Sequence, residues 1–130
     1  MNVIITLPSK LIQLIKERKK RIELRKTYPK LFNPHKDVIY ICEKGTRNVV
    51  GCMIIEQIIC TTNKYGILKD WSKDIAISLE WIANYIKDAK ELYGFFIGGC
   101  RFFDKPFSLD EHFHVKKAPQ SFVYTSDNYL

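Results

Sequence analysis

The chain has no run of about 18 apolar residues, so nothing in it reads as a membrane-spanning helix. Its opening, Met1-Asn2-Val3-Ile4-Ile5-Thr6-Leu7-Pro8, has no basic leader ahead of a short apolar stretch and does not read as a secretory signal. These two absences lead to the expectation of a cytoplasmic protein with no membrane partner. None of the four cysteines (Cys42, Cys52, Cys60, Cys100) falls in a C-x-x-C pair, the spacing that zinc and redox sites use. Three of them lie in apolar, strand-like runs, which reads as buried, reduced thiols. His112 and His114 form an H-x-H without a third ligand at matching spacing, so neither a metal nor another cofactor is expected. Repeats and low-complexity segments are also missing.

What is present is enough for one globular domain. At 130 residues the chain can bury a core without staples, and we expect a single domain over residues 1–130. Apolar residues at 46% and aromatics at 13% exclude a disordered chain. The net charge of +7 is unevenly placed. Residues 1–50 carry twelve Lys/Arg against four Asp/Glu (+8), whereas residues 51–130 carry nine against ten (−1). Seven of the basic residues fall between Lys16 and Lys26. A positive field of that kind attracts phosphodiester backbones, although basic runs are often only solvated helix faces. Rings such as Tyr28, Trp71, Trp81, Tyr93 and Phe95 could stack on bases, and most of them are expected in the core.

Along the chain, Asn2–Leu7 reads as a strand ended by Pro8. Ser9 opens a helix to Arg18 or Lys19, with Leu11, Ile12, Leu14 and Ile15 at helical spacing. Arg21–Lys26 is a strand, and Tyr28–Pro34 is a loop because its two prolines cannot enter a ladder. Asp37–Glu43 and Val49–Cys60 are strands joined by the turn Lys44-Gly45-Thr46-Arg47-Asn48. Ile75, Ala76, Leu79, Ile82, Ala83 and Ile86 mark a helix capped by Ser72 or Ser78. Tyr93–Phe103 is a strand in which Gly98-Gly99 marks a bulge or bend. After Pro106, Ser108-Leu109-Asp110-Glu111 reads as a capping box, and Phe122–Thr125 as a last strand. The fold class is α+β: a small mixed β-barrel of five to six strands with two to three helices.

The most informative stretch is Lys19-Lys20-Arg21-Ile22-Glu23-Leu24-Arg25-Lys26. Period-two alternation gives it an apolar face (Ile22, Leu24) and a charged one (Arg21, Glu23, Arg25). A lone carboxylate framed by guanidinium and ammonium groups leaves spare donors for an anionic or polar ligand. An intramolecular ion-pair array that merely holds the barrel mouth together is the structural alternative.

Arg18-Lys19-Lys20-Arg21-Ile22-Glu23-Leu24-Arg25 resembles the G-x-K-x-x-E-x-R signature of the activating signal cointegrator homology (ASCH) domain, a PUA-like barrel associated with RNA. Val49-Val50-Gly51, Lys105-Pro106-Phe107-Ser108-Leu109 and Pro119-Gln120-Ser121-Phe122 are similar to further segments of that family, in the same order. The departure is at the signature glycine, replaced by charged residues around Glu17-Arg18. The resemblance implies a PUA-like fold and binding of RNA, another single-stranded nucleic acid or a modified nucleoside. Lys19, Lys20, Arg25 and Lys26 would meet phosphates, Glu23 would accept from a base edge or sugar hydroxyl, and Gln120 and Ser121 would add neutral donors and acceptors.

A hydrolytic alternative follows from the same resemblance. Small members of similar fold hydrolyse N4-acetylcytidine with a Lys and a Thr of this motif and a separate Glu, and other members are ribonucleases. Here the Lys position is Lys20, but the Thr position is Glu23, which would serve as general base while Lys20 stabilises the oxyanion. Glu56 and Glu80 are candidates for a second acid without motif support. A third alternative is a phage-type effector whose basic patch is aimed at a host protein.

Overall fold

The computed structural model describes residues 1–130. Six strands form one mixed sheet: β1 (Asn2–Leu7), β2 (Ile22–Arg25), β3 (Val38–Glu43), β4 (Asn48–Thr61), β5 (Leu92–Ser108) and β6 (Val123–Thr125), in the order β2-β5-β4-β3-β1-β6. Only β1 and β3 pair in parallel. The strand count matches the expectation, but the sheet is not closed by a ladder: β2 and β6 are its edges. The edges are instead joined through side chains. Arg25 on β2 donates from Nη1 to the Ser121 carbonyl just ahead of β6 (3.2 Å), and the Thr27 and Ser121 hydroxyls lie 3.4 Å apart.

Strand periodicity sorts the core into layers. Val3, Ile5, Leu7, Ile39 and Ile41 face one way and pack with Ile12 and Ile15 of helix α1 (Ser9–Lys16). Ile4, Val38, Tyr40 and Cys42 face the other way, towards Leu109 and Phe113 of α5 (Leu109–Phe113). Ile22 and Leu24 of β2 pack under a helical block made of α2 (Lys64–Gly66), a π-helical segment (Ile67–Trp71), α3 (Ser72–Ile75) and α4 (Leu79–Ile86). Cys42 and Cys52 are buried, as apolar runs suggest, whereas Cys60 is exposed because the far half of β4 leaves the core.

Three local departures from simple periodicity matter. The helix expected across Ile75–Ile86 is broken: Ala76 takes a left-handed φ of 61°, and Ser78 caps α4 by accepting from the Trp81 N–H (3.2 Å). Strand β5 runs on to Ser108 through Pro106, because its register against β4 jumps between Phe102 and Phe107 and the proline sits where no ladder bond is required. Register shifts flank Ile55, so Gly98 and Glu56 are the unpaired bulge residues that the Gly-Gly pair hinted at. The Val-Val-Gly segment also has a reason: a Cβ on Gly51 would lie 2.4 Å from the Arg101 carbonyl oxygen.

Candidate functional site

Glu23 and Arg25 of β2 point into the mouth between the sheet edges, whereas Arg21, just ahead of the strand, is exposed. Lys20 is 1% exposed, and Glu23 is 6% exposed. The Lys20 ammonium donates to the carbonyls of Ile22 (3.0 Å) and Ile75 (2.9 Å) and lies 3.2 Å from Glu23 Oε1. An ammonium has three protons, so all three are engaged and Lys20 has no spare donor for a phosphate. Ile75 can accept this bond because the helix breaks at Ala76, which leaves its carbonyl without an intrahelical partner. Arg25 Nε donates to Glu23 Oε2 (2.7 Å), so each carboxylate oxygen carries one cation. Each oxygen also keeps lone-pair capacity for a further donor.

Glu23 and Arg25 form one wall of a cavity of about 230 Å³ that also meets Leu24, Trp81, Tyr85 and Gln120. Trp81 and Tyr85, one turn apart on α4, stack with centroids 4.9 Å apart and 14° between planes. Trp81 remains 49% exposed, unlike Phe95, which is core. Burial pushes the Tyr85 phenol above its ordinary value, with Glu23 adding to the effect and Arg25 opposing it. The Lys26 ammonium sits 4.3 Å from the centre of the Tyr85 ring.

The remaining predicted residues are spread around this cleft. Gln120 reaches its lining, and Ser121 is tied to Arg25 and Thr27 at the sheet edge. Lys19 is exposed and lies 3.7 Å from Glu17, outside the cleft lining. Of the suggested second acids, Glu80 is exposed and Glu56 lines a separate pocket beyond Lys20. His112 Nδ1 accepts from the Ser108 N–H (3.1 Å), and no group of three or more His, Cys, Asp or Glu side chains converges as a metal site would require. Trp81 and Tyr85 are the cleft residues that the motif did not name. Their i, i+4 spacing on a capped helix was the available signal.

Fold and cleft together define an α+β domain with an open sheet, a Lys–Glu–Arg cluster beside β2, and Arg25 and Thr27 reaching across to Ser121 ahead of β6. That fold is the ASCH fold. The crystal structure of ASCH from Zymomonas mobilis superposes with a TM-score of 0.80 at 18% identity, covering 95% of this chain and 86% of that one. Two mutant forms of that protein superpose at 0.81 and 0.80, also at 18% identity and 95% coverage of this chain, with 87% and 88% of theirs. No protein-family model matches the chain, and no curated protein sequence matches it. No helix is long and apolar enough to cross a membrane.

Proposed function

We propose that the chain binds single-stranded RNA or a modified nucleoside in the cleft bounded by Glu23, Arg25, Trp81, Tyr85 and Gln120. The observation that carries this reading is a buried carboxylate, fixed by two cations, beside a stacked and partly exposed aromatic pair. A nucleobase has apolar faces and a polar edge. Aromatic rings suit its faces, and a carboxylate suits an amino-bearing edge such as that of cytosine. Lys20 then serves as a positioning residue for Glu23, while Arg25 carries the cleft's accessible positive charge. The basic stretch from Lys16 to Lys26 adds long-range attraction for a polyanion.

The test is titration of labelled single-stranded RNA and of the four ribonucleosides into wild type, Glu23→Gln and Arg25→Ala at two salt concentrations. Micromolar or tighter binding, weakened in both variants while circular dichroism is unchanged, is the expected result. A folded wild type that binds neither RNA nor nucleosides overturns the reading. Turnover of N4-acetylcytidine that vanishes in Glu23→Gln would move the assignment from binder to hydrolase. A stoichiometric complex with a protein, without nucleic-acid binding, would move it to an effector.

A further inference from the structure

Behind Lys20, on the side away from the aromatic wall, lies a second pocket of about 180 Å³ formed by Ile15, Arg18, Arg21, Glu56 and the Gly98–Gly99 bulge. Lys20 lines both this pocket and the cleft, so the two are neighbours. The two arginines are carried on fixed backbone. Arg18 turns the chain out of α1 with a left-handed φ of 58° and donates its N–H to the Ile15 carbonyl (3.0 Å). Arg21 is held on both sides: its N–H donates to the Asp74 carbonyl (2.7 Å), and its carbonyl accepts from the Ile97 N–H (2.8 Å).

Neither guanidinium makes an ion pair or side-chain hydrogen bond within the protein, in contrast to Arg25, which donates to Glu23 and Ser121. Glu56 lines the same pocket and forms no ion pair with either arginine. Two arginines without ion-pair partners lining one concavity suit an anion with several acceptor oxygens, because their planar donor forks match phosphate geometry. Lys16, at the end of α1, lies 4.8 Å from the centre of the Phe102 ring of β5 and adds to the positive charge on this side.

We infer that the Arg18/Arg21 pocket holds a phosphodiester next to the nucleotide whose base enters the Glu23 cleft. The ligand is therefore an oligonucleotide rather than a free nucleoside. This inference rests on the base-binding reading of the cleft and gives it a substrate class. A glycine at position 18 would remove one guanidinium while suiting the left-handed backbone, so Arg18→Gly tests the charge without endangering the fold. Glu56 is the one carboxylate in the pocket and would repel a phosphate there.

The experiment measures the affinity of a short fluorescein-labelled single-stranded RNA of mixed sequence, across a salt series, for wild type, Arg18→Gly/Arg21→Gln, Glu56→Gln and Glu23→Gln. The double variant is expected to bind about tenfold or more weakly, as loss of charge-assisted hydrogen bonds does. Its salt slope should fall by about one for each phosphate contact removed. Glu56→Gln should tighten binding of the RNA.

Unchanged RNA affinity and salt slope in the double variant, with weakening in Glu23→Gln, overturn the phosphate pocket and leave the cleft reading standing. Weakening in the double variant with none in Glu23→Gln overturns the base-binding cleft instead. A folded wild type that binds no RNA overturns both.

Discussion

The α5 side of the sheet and the β2 side both bury polar atoms, but of different kinds. On the α5 side Tyr40 packs edge-on against Phe113, and Phe107 stacks on Tyr129 with centroids 4.8 Å apart. The polar atoms there are neutral and paired: the Tyr129 N–H donates to the Tyr40 hydroxyl (3.0 Å), and the Tyr129 hydroxyl donates to the His112 carbonyl. Burial pushes the Tyr40 phenol above its ordinary value, with the Tyr129 N–H opposing the shift. On the β2 side the buried polar atoms are charged, with Lys20 against Glu23 and Glu23 against Arg25. Neutral pairs cost little to bury, whereas each ion carries a desolvation penalty of several kcal/mol, roughly offset only when its bonds are complete. No buried side-chain nitrogen or oxygen lacks a partner, so the Lys–Glu–Arg side achieves that balance. On the function proposed above, the aromatic side serves stability and the ionic side serves recognition.

Breaking the ionic side should produce the largest effect. Lys20→Ala leaves Glu23 with one cation and removes the donor to the Ile22 and Ile75 carbonyls, so we expect a loss of about 3–5 kcal/mol in urea denaturation. Lys20→Met with Glu23→Leu should recover part of that stability and still bind no RNA. A double variant that binds RNA as wild type does would erase the distinction between the two sides.

Tyr129→Phe on the aromatic side should cost about 0.5–1.5 kcal/mol through the lost bond to His112, without changing RNA affinity. A change in affinity there would show that recognition is not confined to the β2 side.

The smallest effect is alkaline. The Tyr93 phenol is pushed up to about 12, chiefly because it donates to Glu91 (2.9 Å). The folded value lies above the ordinary tyrosine value of 10.0, so the contribution of the neutral phenol is complete below pH 10 and is lost as pH rises from 10 towards 12. Ultraviolet titration of phenolate should show late-titrating tyrosines, one fewer of them in Tyr93→Phe. Full ionisation of every tyrosine near the ordinary value would contradict it.

The legible part of this molecule is the part governed by local rules. Alternation in Val3–Leu7, Val38–Cys42 and Ile22–Arg25 marked strands and their two faces, and the capping pattern Ser108–Glu111 marked α5. The signature stretch pointed to Lys20, Glu23 and Arg25, which the structure brings within hydrogen-bonding distance. Less legible were features that depend on partners distant in sequence. The apolar spacing of Ile75–Ile86 reads as one helix, and nothing local announces the break at Ala76 that exposes the Ile75 carbonyl to Lys20. Pro106 looked like a strand end because the bulge that accommodates it is set by β4.

By itself, then, the sequence determined the strands, their apolar faces, the concentration of positive charge between Lys16 and Lys26, and the charged character of β2, because side-chain periodicity and composition are local properties. Only the tertiary structure decided that Lys20 is buried and fully bonded rather than free, that Trp81 and Tyr85 wall the cleft, and that Arg18 and Arg21 share a pocket without partners. Those outcomes depend on which carbonyls, rings and charges arrive from residues such as Ile75, Gly98 and Ser121. Long-range packing, not spacing along the chain, fixes which of them meet.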